Sequence, residues 1–169
     1  MTNYRLLDDV LPQNSFIELK DFLLGPRINW SYNQFAVRFE GDHNLHNFQF
    51  THTFYRNYAP SSDHIAVLDP LLKILNPSAI LRIKANLSPR SEQRIVQGFH
   101  TDITQFKGKT AIFYVNTNDG KTIFDDGTEI ESVENRLLIF DSTLTHSGTT
   151  CTNTKVRCVI NFNYYEWDR

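Results

Sequence analysis

The chain has 169 residues, a formal net charge of -2 and 13% aromatic residues. That length suits one domain, residues 1–169, with a core of its own, and the near-neutral charge argues against a broad basic surface for nucleic acid. Two cysteines, Cys151 and Cys158, are too few for a disulfide framework and read as ordinary thiols of a reducing compartment. The amino terminus carries no basic-then-apolar leader, and no apolar run is long enough to span a bilayer. The expectation is a cytoplasmic protein without a membrane partner. Asn29-Trp30-Ser31 and Asn86-Leu87-Ser88 match the glycosylation triplet, but no secretion signal gives the match meaning.

Tyr4 to Leu11 reads as an opening strand. Pro12 suits the first turn of a helix, and Phe16, Leu19, Phe22 and Leu23 fall on one helical stripe that Gly25-Pro26 ends. Strand-like pieces follow at Ile28–Tyr32 and Phe35–Phe39, then a polar turn from Glu40 to Asn47 and an alternating strand from Phe48 to Tyr55. Ser62 or Asp63 can cap a second helix whose stripe is Ile65, Leu68, Leu71, Leu72 and Leu75, with a break or restart near Asp69 because Pro70 lies inside it. From residue 79 onward the pattern is almost all strand: Ala79–Leu87, Ile95–Asp102, Thr110–Asn116, Lys121–Phe124, Thr128–Val133, Arg136–Phe140, the surroundings of His146, and Lys155–Tyr165. Turn chemistry separates them at Asp119-Gly120, Asp126-Gly127, Glu134-Asn135 and Ser147-Gly148. The predicted fold class is mainly β with N-terminal helices, a jelly-roll barrel braced by helices on one face. Residues 1–78 would form the support region and residues 79–165 the catalytic core.

The chemistry gathers around Gly98-Phe99-His100-Thr101-Asp102. On an extended strand, side chains two residues apart share a face, so His100 and Asp102 converge. His146 completes two histidines and one carboxylate on one side of a metal, which suits non-haem Fe(II) because other coordination positions stay open. Zinc accepts the same set with an open fourth position. Arg157 stands among apolar neighbours on the last strand, and an inward-facing cation there needs an anion, most economically a dicarboxylic acid. Zinc hydrolysis has no use for that cation. Cys158 faces away from Arg157. His52 reads as a hydrogen-bonded core histidine, His43, His46 and His64 as surface or turn residues, Asp125-Asp126 as a solvated turn, and Trp30 and Trp167 as packing residues.

The set His100-x-Asp102, Ile112-Phe113-Tyr114-Val115-Asn116, Asn135-Arg136-Leu137-Leu138-Ile139-Phe140-Asp141-Ser142 leading into His146, and Arg157 resembles the Fe(II)- and 2-oxoglutarate-dependent dioxygenases. The likeness is to the compact prolyl-4-hydroxylase-like branch found in bacteria and phages, and spans roughly residues 79 to 165. The resemblance implies a double-stranded β-helix and an iron held by His100, Asp102 and His146. It also implies that Arg157 pairs with the distal carboxylate of 2-oxoglutarate, with Tyr114 supporting the same group. Fe(II), 2-oxoglutarate and O2 would be required and ascorbate supportive.

The chain departs from the family where prolyl hydroxylases often carry a tyrosine on the strand before H-x-D. Arg82, Lys84 and Asn86 share a face there, and Asn86 is the residue selected for a co-substrate or substrate contact. Asn161 and Asn163 share a face with Arg157 and would lie near the iron or the substrate. Ser88–Arg94 occupies the place of a connection that closes over peptide substrates in relatives. The implied reaction hydroxylates an unactivated C–H bond with formation of succinate and CO2, on a prolyl residue of a protein or peptide. Alternatives are a free amino acid, another small molecule or a modified base, and, outside catalysis, a 2-oxoglutarate sensor or a structural virion module. Oligomeric state stays open.

Overall fold

Eleven short strands and two helices are described by the computed structural model, which covers residues 3–38, 44–103 and 107–167. The strands are β1 (Tyr4–Leu7), β2 (Ser31–Asn33), β3 (Gln49–Arg56), β4 (Ala59–Pro60), β5 (Ala79–Pro89), β6 (Lys109–Tyr114), β7 (Lys121–Phe124), β8 (Glu129–Glu131), β9 (Arg136–Asp141), β10 (His146–Gly148) and β11 (Val156–Tyr165). An eight-stranded antiparallel sheet runs β1-β9-β6-β11-β5-β3-β2, with β4 on β3, and a three-stranded sheet runs β10-β7-β8. The fold is therefore mainly β, as expected.

Its helical part is smaller than the stripes implied and is interspersed with strands rather than preceding them. Helix α1 (Gln13–Leu24) buries Phe16, Leu19, Phe22 and Leu23. The second stripe begins as a 3-10 turn (Ile65–Leu68) and restarts as α2 (Asp69–Leu75). Pro70 sits in the first turn of α2, where its missing N–H breaks no intrahelical bond. Asn76 ends the helix in the left-handed region at φ 44°.

Alternation along the long central strands divides them. Ile83 and Ala85 of β5, Cys158, Ile160 and Phe162 of β11, and Phe113 of β6 join α1 and α2 in the larger core. Ile112, Tyr114 and Val159 look the other way and pack with Phe124, Ile130, Leu138 and Phe140 in a second core that includes residues of the small sheet. Both cysteines are buried and free. Asn135, at φ 59°, accepts from Leu11 N (3.0 Å) and donates to Leu11 O (2.9 Å), so one side-chain amide ties the segment before α1 to the start of β9.

Several sequence expectations are corrected. Phe35–Arg38 forms no strand. Ile95–Asp102 is not a continuous strand either, since only Val96 and His100 make isolated bridges. Ser147-Gly148 lies inside β10 rather than in a turn. Trp30 packs against the larger core, but Trp167 is 61% exposed and so is not a packing residue. The predicted turn at Glu40–Asn47 and the reading of His43 fall partly or wholly outside the described residues. No helix among the described residues is long and apolar enough to cross a membrane.

Candidate active site

Two backbone segments deliver the predicted ligand set, the stretch carrying His100 and Asp102 and the start of β10. His100 N–H donates to His146 O at 2.9 Å and His146 N–H returns the bond to His100 O at 3.0 Å, so the two residues form a mutually bonded antiparallel pair. Their imidazole centroids stand 4.9 Å apart. Asp102, two residues along, turns to the same side without a regular strand beneath it. The ligand atoms of His100, Asp102 and His146 all lie within 4.8 Å of one another. Each histidine places Nδ1 against a backbone carbonyl, Gly98 O at 3.0 Å and Leu144 O at 3.2 Å. A carbonyl can only accept, so the proton sits on Nδ1 and the Nε2 lone pair is left for a metal.

The environment keeps Asp102 and His146 in the protonation states a metal requires. The Asp102 side chain is 5% exposed. Burial alone would raise its pKa, but Arg82, His146, the Asn163 amide and His100 together hold it down at about 2. Arg82 Nη2 meets Asp102 Oδ1 at 3.0 Å, Asn163 Nδ2 meets Oδ2 at 3.1 Å, and Arg82 Nε donates to Asn163 Oδ1 at 3.0 Å. Asn161 Nδ2 adds a longer contact of 3.4 Å to Oδ1. Burial lowers the pKa of His146, favouring the neutral imidazole a metal requires; Asp102 opposes the shift and His100 adds to it. Phe140 meets the His146 ring edge-on at 4.9 Å, with Phe124 behind.

The far end of the same cavity is built by Arg157, which is 5% exposed and therefore faces inward as its strand parity requires. It has no carboxylate partner among the described residues. Instead Nε donates to Ser132 Oγ at 3.0 Å and Nη2 to Thr122 Oγ1 at 3.2 Å. Burial pushes the guanidinium pKa down, while the Tyr114 hydroxyl and both cysteines counter it. Gly120 makes room for the arginine: a Cβ there would stand 2.5 Å from Arg157 Cδ. Tyr114 lies behind this end rather than on the cavity wall, and its hydroxyl donates to Thr122 Oγ1 at 2.8 Å. The Thr122 oxygen accepts from both neighbours, which leaves its own proton to donate into the cavity that Thr122 lines. Thr122 and Ser132 escaped the sequence reading, because a lone hydroxyl on an alternating strand carries no signal until its cross-strand neighbour is known.

Asn86, Lys84, Asn161, Gln97 and Ser88 line the wall between the two ends. The register places Lys84 opposite Asn161, Asn86 opposite Val159 and Ser88 opposite Arg157. Asn86 Oδ1, Asn161 Oδ1 and Gln97 Oε1 are buried and make no hydrogen bond with a described residue. Buried acceptors of this kind fit a site built to receive a polar ligand. Lys84 is half-buried, and burial first, then Arg82, lowers its pKa to about 8 against the pull of Asp102.

Ser88–Arg94 is pinned rather than loose. Ser91 donates to Thr150 Oγ1 at 2.6 Å and its amide to Cys151 O at 3.1 Å. His52 bonds Asn29 O and Ser62 Oγ at 2.8 and 2.9 Å, hydrogen-bonded as expected but half-buried rather than in the core, while His46 and His64 are exposed. A larger groove of about 900 Å³, bordered by Arg5, Lys107, Tyr165 and Trp167, contains none of the ligand set, whereas the cavity that contains it measures about 70 Å³. Chemistry, not size, marks the site.

No family profile and no curated protein matches the chain by sequence. Solved structures do match. A prolyl hydroxylase from Trichoplax adhaerens, in complex with a hypoxia inducible factor oxygen degradation domain peptide fragment, superposes with a TM-score of 0.69 at 13% identity, covering 98% of this chain and 84% of that one. A Pseudomonas putida prolyl-4-hydroxylase gives 0.59 at 13% identity over 98% and 94%. HygX from Streptomyces hygroscopicus, with nickel and 2-oxoglutarate bound, gives 0.59 at 14% over 98% and 83%. The chain has the fold of the 2-oxoglutarate and Fe(II) oxygenases. Within that oxygenase fold, the described residues offer one cavity that contains both the His100–Asp102–His146 group and a buried arginine.

Proposed function

We propose that this chain is an Fe(II)- and 2-oxoglutarate-dependent oxygenase built on a double-stranded β-helix, with residues 79–165 as its catalytic core. The observation that carries the reading is the joint presence, in one cavity, of a two-histidine, one-carboxylate group and a buried arginine with no carboxylate of its own. His100, Asp102 and His146 would hold the metal. The chemistry supplied by bound iron is O2-driven decarboxylation of 2-oxoglutarate to succinate and CO2, coupled to hydroxylation of an unactivated C–H bond.

The protein's own residues bind, orient and exclude water. Arg157 neutralises a carboxylate of the diacid, and Thr122 donates a hydrogen bond beside it. Ser132 and Tyr114 position those two groups. Arg82 and Asn163 keep Asp102 ionised, and Phe124 and Phe140 keep water from the His146 ring. Asn86 would contact the co-substrate through its amide N–H, or an N–H or O–H of the substrate through its buried Oδ1 acceptor.

The first substrate reading is a prolyl residue in a protein or peptide, supported by the prolyl hydroxylases among the structural neighbours. The second is a free amino acid or other small molecule. The pinned Ser88–Arg94 segment favours it, since a fixed connection is poorly suited to closing over a chain.

Incubation with Fe(II), ascorbate, O2 and 2-oxoglutarate is expected to release succinate, with no release from His146→Ala. A proline-containing peptide that gains one oxygen by mass supports the first reading, and a gain confined to a small molecule discards it. Equal succinate release from wild type and His146→Ala would sink the enzyme assignment.

A further inference from the structure

The wall of the cavity carries a cation that the proposed reaction does not use. Lys84 lines the cavity, is half-buried, and makes neither a hydrogen bond nor an ion pair with any described residue. Surface lysines usually keep their ammonium in water, where an unpaired charge costs nothing. Here the register puts Lys84 opposite Asn161, whose amide reaches Asp102, so this lysine stands on the wall that carries the metal-ligand group. Its near charges are Arg82, which repels it and is already engaged by Asp102, and Asp102 itself.

A charge count then points to a ligand. If the cavity holds a divalent metal on two neutral histidines and Asp102, that centre keeps one positive charge. The dianion of 2-oxoglutarate cancels this charge together with that of Arg157. The charges of Arg82 and Lys84 remain, and the described residues lining the cavity offer no further carboxylate. Leaving a partly desolvated ammonium near a guanidinium is unfavourable unless an anion joins them. Asn86 Oδ1, Asn161 Oδ1 and Gln97 Oε1 on the same wall give such a ligand hydrogen-bond acceptors for its own N–H or O–H groups.

We propose that Lys84 is the specificity residue for the second substrate, and that this substrate carries an anionic group, a carboxylate or a phosphate, close to the carbon that reacts. The inference rests on the oxygenase reading for its charge count and narrows that reading. A prolyl residue inside a neutral peptide does not satisfy it, whereas a free amino acid or another small acid does.

The test uses the full chain loaded with Ni(II) and 2-oxoglutarate, and follows the Lys84 side-chain NMR resonance, assigned by its absence from Lys84→Gln. Acetate and inorganic phosphate serve as probes. The expected result is a saturable shift of that resonance by one of them in the loaded protein. The amine pKa should rise by about one unit. In Lys84→Gln, 2-oxoglutarate affinity should stay within about twofold, since the assigned cation for the diacid is Arg157. No shift from either probe overturns the proposal. So does a shift that disappears once 2-oxoglutarate is loaded, or a loss of diacid affinity of about tenfold or more in Lys84→Gln, because each assigns Lys84 to the co-substrate. If 2-oxoglutarate fails to bind the wild type at all, the oxygenase reading falls separately, and the probe titration of the metal-loaded protein still decides the anion site.

Discussion

On the helix side of β5 and β11 stand Ile83, Ala85, Cys158, Ile160 and Phe162, all buried in the larger core. On the opposite side of the same strands stand Arg82, Lys84, Asn86, Arg157, Asn161 and Asn163, gathered on or behind the cavity. The backbone ladder is shared, yet the two faces obey different energetics. The outer face stabilises the fold by removing apolar surface from water and packing it densely. The inner face withdraws the Arg157 guanidinium and several amides from water, partly withdraws Arg82 and Lys84, and leaves some of these groups without full compensation. Stability is generated on one side and used on the other to hold polar groups ready for a ligand.

The largest expected break in this comparison comes from the outer face. Phe113 is fully buried and meets Phe16 of α1 in an edge-on contact with centroids 6.3 Å apart. Phe113→Ala should cost about 3–5 kcal/mol in denaturant unfolding, while 2-oxoglutarate affinity of the protein that remains folded changes little. A large affinity loss without a stability loss would erase the distinction between the faces.

The inner face should behave in reverse. Arg157→Gln removes a buried cation, so the ligand-free protein should unfold at the same temperature or higher, while the dissociation constant for 2-oxoglutarate rises roughly 10- to 100-fold. Calorimetry of both quantities on one variant checks the pair of outcomes.

The smallest effect sharpens the comparison through pH. The Asp102 pKa is depressed from 3.8 to about 2, so its contribution to stability is full above its ordinary pKa and is lost as pH falls through about 2. Arg82→Gln takes away the nearest cation and should move the acid unfolding limb of the metal-free protein upward by on the order of one pH unit. An unmoved limb would show that Arg82 does not govern this carboxylate.

Much of this division was legible in the sequence, because parity along a strand is a local property. The alternation of Arg157, Val159, Asn161 and Asn163 with Cys158, Ile160 and Phe162 assigns each residue to a side before any partner is known. The same logic put Arg82, Lys84 and Asn86 on one face. What escaped it depends on contacts between distant segments. Arg157 is steadied by Thr122 and Ser132, and Asp102 by Arg82 and Asn163, through bonds whose partners are strangers in sequence. Tyr114 was assigned to the co-substrate by likeness, but its hydroxyl is occupied by Thr122, which moves it one layer back. The segment from Ile95 to Asp102 has strand-like residues yet forms only two isolated bridges, at Val96 and His100, because alternation cannot reveal whether a neighbouring edge is long enough to pair.

The reciprocal bond between His100 and His146 is the last of a short series that joins the stretch from Ile95 to His100 to the segment from His146 to Thr150. The stretch carrying His100 and Asp102 has no ladder of its own, and among the described residues its cross-chain backbone bonds run to the surroundings of β10. A metal gripped by both histidines would therefore act as a clasp, closing a long excursion of the polypeptide whose free ends carry a large configurational freedom. Loading the ion and fastening the cavity floor would then be one event, and a chelator that withdraws the ion would unlatch that floor while β5 and β11 stay in register.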